Sequence, residues 1–177
     1  KNAECFHFCA SFVRMERLMN DLKNVSAEEL KEVLDSEEGD INWKDSIKNT
    51  ILHTVCEKGD VEKLQILLQY PEIDINARNT FNSTPFSFAL DGGHMEVVKI
   101  LLNDDRFNVA ETCKGFDPLS AAFSNNCEIG KLLLEDNRFD CCDIDRVLFN
   151  FAPTGKLDVI RCLLEHKANP AAPYMEE

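Results

Sequence analysis

The sequence predicts an all-α repeat solenoid of short helix-turn-helix units, and three observations carry that prediction. The first is the stretch Thr84 to Leu102, TPFSFALDGGHMEVVKILL, which reads as two amphipathic helices divided by Gly92-Gly93. Thr84 can cap a helix with its hydroxyl, Pro85 suits the first helical position, where no amide donor is needed, and Phe86, Ala89 and Leu90 mark one apolar face. The second helix begins near His94 to Glu96, and Val97, Val98, Ile100, Leu101 and Leu102 give it a wide apolar stripe. The second observation is a copy of this unit: Thr50-Ile51-Leu52-His53 lies 34 residues before Thr84-Pro85-Phe86-Ser87, and Gly59-Asp60 lies 34 before Gly93-His94. The third is a recurring exit, Asp40-Ile41-Asn42 and Asp74-Ile75-Asn76, each asparagine eight residues after a leucine, Leu34 or Leu68. A pair of such short helices cannot bury its apolar surface alone, so the units must stack.

Taken in order, Ala3 to Leu22 forms a helical pattern with Phe6, Cys9, Val13, Leu18 and Leu22 among its apolar positions. Ser26 followed by Glu28 and Glu29 is a helix start, with Leu30, Val33 and Leu34 on the inner stripe and an acidic exit through Glu37-Glu38-Gly39. Residues 1–42 therefore read as a degenerate N-terminal capping unit with a more polar outer side. Repeats are expected at 43–76, 77–109 and 110–142. In the last of these Asp117-Pro118-Leu119-Ser120 supplies the cap, with Asp in place of Thr, and Ile129 to Leu134 the back helix. Residues 143–177 read as a degenerate repeat and tail, running from about Asp145 through Val147-Leu148, Ala152 and Gly155 to Val159-Ile160 and Leu163-Leu164 without a Thr-Pro signature. Pro153-Thr154-Gly155 and Asn169-Pro170 interrupt it, and Pro173 and Met175-Glu176-Glu177 are expected to fray. The whole, 1–177, is one domain.

Composition sets the class of partner. With 44% hydrophobic and 29% charged residues the chain is globular, and a formal net charge of −13 argues against phosphate backbones and anionic lipid, which require a basic footprint. No nucleic acid and no membrane are expected as partners; a protein with a basic or apolar surface is. Between Ser26 and Asp45, Glu28, Glu29, Glu32, Asp35, Glu37, Glu38, Asp40 and Asp45 oppose only Lys31 and Lys44, which reads as a solvated helix face or an electrostatic docking patch. No run reaches the roughly 20 apolar residues of a spanning helix, and Lys1 to Asn24 lacks the order of regions that marks a signal peptide. The expectation is an intracellular chain, cytoplasmic or nuclear, either a monomer or a fragment of something longer.

The chemistry of enzymes is not legible. Gly130-Lys131 lacks the earlier glycine of a phosphate-binding loop, and neither G-x-S-x-G nor H-E-x-x-H occurs. The eight cysteines contain no C-x-x-C pair: Cys5 and Cys9 are four apart, Cys141 and Cys142 adjacent, and Cys56, Cys113, Cys127 and Cys162 scattered. They read as reduced thiols acting mostly as small apolar fillers, so no cofactor or metal is expected. The alternative is a metal- or redox-responsive protein using Cys5, Cys9, Cys141 and Cys142.

The order Thr-Pro-apolar, then Ala, Gly-His, Val-Val-x-x-Leu-Leu and an exit to Asn, at a period near 33 residues, resembles the ankyrin repeat. The resemblance covers Ser26 to Pro170 and departs from the family at Ile51, in place of Pro, and at Ser87 and Ser120, in place of His. It implies structural roles for His53, bonding near Thr50, and His94, opening a back helix, while His7 and His166 are exposed or terminal. It further implies β-hairpin fingers between repeats, at Asn42–Asn49, Asn76–Ser83, Val109–Phe116 and Cys141–Asp145, with Lys48, Asn82 and Gly115 where the family places Gly.

The resemblance also implies a non-enzymatic protein-interaction module that presents finger tips and the concave face of its front helices. Position by position, this gives the finger residues Trp43, Ile47, Arg78, Phe81, Lys114 and Phe116 and the front-helix residues Glu57, Phe88, Asp91 and Ser124. Exposed apolar tips are costly in solution and useful in an interface. Asn42 and Asn76 resemble targets of an intracellular asparaginyl hydroxylase. A regulatory or targeting segment of a longer enzyme, channel or pathogen effector is the other functional class the sequence allows.

Overall fold

The computed structural model describes residues 14–36 and 39–171. The expectations for Cys5, Phe6, His7, Cys9 and Val13, for Glu37-Glu38, and for Pro173 and Met175-Glu176-Glu177 lie outside the described residues. From 14 onward the chain runs through α1 (14–20), α2 (Ala27–Leu34), α3 (Ile51–Lys58), α4 (Val61–Leu67), α5 (Pro85–Asp91), α6 (Met95–Leu102), α7 (Val109–Cys113), α8 (Pro118–Asn125), α9 (Cys127–Glu135), α10 (Ile144–Phe151) and α11 (Leu157–Glu165). Short 3-10 turns at Asn137–Phe139 and Ala152–Thr154 complete the helical content of the described residues.

Most of the helices start where a side chain takes up the first free amide donors, α6 and α11 being exceptions. Ser26 Oγ accepts from the Glu29 N–H at 3.1 Å and Glu29 accepts from the Ser26 N–H at 3.4 Å, a reciprocal pair. Thr84 and Ser87 repeat the arrangement at the head of α5. Asp117 accepts from the Ser120 N–H at 3.1 Å at the head of α8, and Asp143 accepts from the Arg146 N–H at 3.0 Å at the head of α10. The last front helix therefore opens at Ile144, its cap supplied by an Asp, as in α8, where α3 and α5 use Thr.

The turn between α5 and α6 explains the Gly-Gly-His sequence. A Cβ on Gly92 would lie 2.4 Å from the His94 ring, and one on Gly59 would lie 2.5 Å from the same ring. The two glycines make room for an imidazole whose Nε2 meets the Glu57 carbonyl of the preceding unit at 2.9 Å.

Helices α3, α5, α8 and α10 stack in a front row and α2, α4, α6, α9 and α11 in a back row, with each front helix packed on its own back partner. Between the rows lies a continuous core in which Leu52, Leu64, Leu67, Phe86, Leu90, Leu101, Phe123, Ile129, Leu133 and Leu163 are almost fully enclosed. Each such side chain is worth about 1.5–3 kcal/mol over its exposed state. Phe86 stands at its centre, with ring centroids 4.6 Å from Phe107, in the exit of its own unit, and 6.1 Å from Phe139, in the exit of the next.

Polar side chains reach across the junctions in a regular way. The Asn42 carboxamide donates to the Glu72 carbonyl at 2.7 Å and accepts from the Asp74 N–H at 2.8 Å. The Asn76 carboxamide does the same one unit later, to the Arg106 carbonyl at 2.8 Å and from the Asn108 N–H at 2.8 Å. In the other direction Arg106 donates to the Leu68 and Tyr70 carbonyls at 3.0 and 2.9 Å, and Arg138 to the Leu102 carbonyl at 3.0 Å. These guanidiniums satisfy carbonyl groups left free at the C-terminal ends of α4 and α6.

The junctions differ from the expected β-hairpins. No strand forms among the described residues. The first two connections are loops closed by single turns, and Val109–Phe116 contains a helix, α7, whose first amides are capped by Asn108. Around Cys141–Asp145 a 3-10 turn leads almost directly into the Asp143 cap. The glycine-equivalent positions nevertheless coincide: Lys48, Asn82 and Gly115 have φ of 63°, 64° and 77°. The final helix pair leaves Phe149, Leu157 and Leu164 exposed, so this end carries more apolar surface than a polar cap would.

A lysine in the left-handed region pays about 1–2 kcal/mol in steric strain that glycine avoids, less the extra chain entropy glycine loses on folding. Lys48→Gly is therefore expected to raise stability by about 0.5–1 kcal/mol in urea unfolding. Gly115→Ala is expected to lower it by a similar amount.

Candidate protein-interaction surface

The loop tips are shaped from inside by one buried or half-buried side chain each. Asp45 Oδ1 accepts from the backbone N–H groups of Ile47 and Asn49 at 2.9 and 2.7 Å. Asn79 Oδ1 accepts from those of Phe81 and Ser83 at 2.9 and 3.0 Å, while its Nδ2 donates to Asn49 Oδ1 at 2.9 Å. The Thr80 N–H donates to the Ile47 carbonyl at 2.9 Å, which ties the second tip to the first. Each bracket turns the chain so that the residue before the positive-φ position points outward: Ile47, 39% exposed, and Phe81, 72% exposed. Asp45 and Asn79 lie 34 residues apart, an Asx-turn signal legible in the sequence once the repeat was aligned.

At the third junction the equivalent bracket is absent, since Thr112 is buried with its hydroxyl lacking a hydrogen-bond partner. Lys114, placed before Gly115, still faces solvent, but as the residue that ends α7. It pairs with Glu111, as does Arg78 with its Nε 3.1 Å from the same carboxylate. Arg78 also donates to the Glu111 and Lys114 carbonyls. Hydrogen bonding from Lys114, joined by the Arg78 charge, holds the Glu111 carboxyl below its ordinary range. Of the two roles open to these cations, local pairing or orienting a partner, the structure shows the first: both are engaged in a cluster that staples the second finger to α7.

The remaining expected residues fall into two groups. Trp43, Phe88 and Phe116 are half-buried against the core. Phe88 meets His53 edge to face, with centroids 5.6 Å apart. Glu57, Asp91 and Ser124 are exposed at matching positions near the ends of α3, α5 and α8, giving a polar row along the front helices. Glu57 contacts Lys58 at 3.4 Å and Ser124 Oγ donates to the Ser120 carbonyl at 2.8 Å. Asn42 and Asn76 stand apart from this surface as the bridging carboxamides described above.

Beneath the tips, His53 is enclosed. Its Nδ1 accepts from the Thr50 N–H at 3.1 Å, which leaves the proton on Nε2 to be donated to the Ser83 carbonyl at 3.1 Å. One imidazole so joins the cap of α3 to the base of the Phe81 loop. Burial lowers its pKa below the usual 6.5.

Three thiols also converge. Cys113 Sγ is 3.6 Å from Cys141 Sγ and 3.9 Å from Cys142 Sγ, and all three lie within 4.8 Å of one another. Burial pushes the Cys113 thiol up to about 11 and raises Cys142 as well. Sequence spacing paired Cys141 with Cys142 but gave no sign of Cys113, which lies far away along the chain.

Two rows of stacked helix pairs with projecting tips define a helical repeat scaffold. A family model for ankyrin repeats (3 copies) matches residues 18–109 and 71–145, well over half of the chain, and the chain belongs to the ankyrin repeat family. Ankyrin repeats are generally protein-interaction modules. A search of curated proteins found no match. No helix among the described residues is long and apolar enough to cross a membrane.

The His53 environment sets a pH dependence. Because the folded state holds this imidazole neutral, the unfolded chain binds more protons below about pH 6.5, so stability is full above that value and falls as pH drops through it. Thermal midpoints are expected to be flat from about pH 8 to 7 and to decline toward about pH 5.5. In His53→Gln the decline over that window is expected to be shallower.

Proposed function

We propose that the chain is a non-enzymatic interaction module that offers its finger tips, and the front-helix face beside them, to a protein partner. The observation that carries this reading is Phe81: an aromatic ring 72% exposed, on a loop held rigid by Asn79, His53 and the first finger. A solvent-facing phenyl ring gains by burial, and a loop already ordered by hydrogen bonds loses little entropy when it binds. Ile47, one unit away, continues the apolar edge.

The charge pattern supports a partner that is apolar at the centre of the contact and basic at its rim. Arg78 and Lys114 share the Glu111 carboxylate, whereas Glu57, beside Lys58, and Asp91 on the front row face solvent in a chain of net charge −13. Rim charges of this kind steer encounter and fix orientation more than they add affinity.

Affinity capture with the wild type, Phe81→Ala and the Trp43→Ala, Phe81→Ala double variant tests the reading. Phe81→Ala removes an exposed ring, so the fold is expected to be unaffected while affinity for the captured protein falls by about 2 kcal/mol or more, the loss typical of an anchoring aromatic. An unchanged set of partners for both variants would rule out the finger tips as the binding element. A loss confined to a Glu57→Ala, Asp91→Ala variant would move binding to the front-helix face.

A further inference from the structure

The carboxamide bridges that join successive units stop at the third junction. Asp40-Ile41-Asn42 and Asp74-Ile75-Asn76 both end in a bridging asparagine, but the next copy, Asn108-Val109-Ala110, ends in alanine. Asn108 turns its own side chain onto the Ala110 N–H at 3.0 Å. Where Asn76 would have a counterpart reaching into the exit of the following unit, the structure places sulfur: Cys113 at the end of α7 faces Cys141 and Cys142 in that exit.

The spacing of these sulfurs is that of a metal's coordination sphere. Zinc–thiolate bonds of about 2.3 Å place two sulfurs about 3.8 Å apart at tetrahedral angles and about 4.0 Å apart in a trigonal plane. Cys113 stands 3.6 and 3.9 Å from its two partners, and the three atoms share one cluster within 4.8 Å. Cys141 is exposed, and an open cleft lined by Cys113, Phe116, Asp117 and Arg146 reaches the cluster at Cys113. A cation therefore has both an entry path and room for a fourth, exchangeable ligand. The Asp117 carboxylate, held by Ser120 at 2.7 Å and paired with Arg146 at 3.3 Å, lines the same cleft.

We propose that Cys113, Cys141 and Cys142 form a three-thiolate site for zinc that clamps the third junction, with a solvent molecule as fourth ligand. On binding, each S–H releases its proton to solvent and each sulfur contributes an electron pair to the cation, with no change in oxidation state. Soft thiolate donors select zinc over the hard divalent cations, and a three-ligand set with one open position suits it. The clamp joins the end of α7 to the exit that leads into the last unit, two segments that no Asn42-type carboxamide joins.

Cobalt(II) is the probe, because thiolate-bound cobalt absorbs through sulfur-to-metal charge transfer and zinc displaces it. Titrating the reduced, metal-free full chain with Co2+ is expected to give a charge-transfer band that saturates at one equivalent and is bleached by Zn2+. Loss of a ligand should cost at least the about 10–100-fold in affinity that loss of a mere outer-shell partner costs, so Cys113→Ser and Cys141→Ser are each expected to weaken binding at least that much. Cys127→Ser and Cys162→Ser, whose thiols lie elsewhere, should leave it unchanged. Cys141→Ser changes an exposed residue and serves if Cys113→Ser does not fold. Absence of the band in the wild type would overturn the proposal. So would a band that survives in Cys141→Ser, which would assign the cobalt to other thiols such as Cys5 and Cys9.

Discussion

Helices of seven to nine residues are too short to persist alone, and the whole fold follows from that limit. Each pair has one apolar stripe for its partner and another for its neighbours, so stability accrues only as units are added side by side. Phe86 shows the dependence directly. Its ring packs against Phe107 from the exit of its own unit and Phe139 from the exit of the next. Packing of this kind is non-directional, however, and leaves the offset between units open. The asparagine and arginine bridges settle it, because a carboxamide that must both donate and accept across a junction fits at one offset only.

The same economy shapes the tips. A single Asx side chain in each of the first two loops gathers the backbone amides, a left-handed residue completes the turn, and the side chain between them has nowhere to go but outward. Exposure of Phe81 is therefore a product of the loop's hydrogen bonds, and it is fixed before any partner arrives. The third junction departs from this plan in several linked ways. Thr112 replaces the Asx bracket, Ala110 replaces the bridging asparagine, α7 replaces the loop, and three thiols meet where the bridge would have been.

Much of this was legible in the residues. Thr-Pro caps, the Gly-Gly-His turn and the 34-residue offsets announce stacked helix pairs, and the left-handed sites at Lys48, Asn82 and Gly115 follow from aligning them. What was not legible depends on distance through space. Nothing local says that Arg78 is spent on Glu111, that Arg106 closes the end of α4, or that Cys113 meets Cys141 and Cys142. The β-hairpin expected at Val109–Phe116 failed for a local reason. Asn108 is a good helix cap and Val109-Ala110-Glu111-Thr112 a compatible first turn, so the chain coils where its earlier copies bend. As for binding, the sequence ranked Trp43 with Phe81, and burial separates them: Trp43 leans on the core and Phe81 does not.

The claim on which the rest depends is that side-chain bridges hold successive units in register, and Asn76 tests it most directly. Asn76→Ala deletes one donor and one acceptor across the junction while leaving the apolar core untouched. Equilibrium urea unfolding should show a loss of about 1–3 kcal/mol, since two backbone partners lose their bonds together. Hydrogen exchange at the Asn108 amide should rise in the same variant. A stability within about 0.3 kcal/mol of the wild type, with that amide still protected, would contradict the account and leave apolar packing alone to set the register.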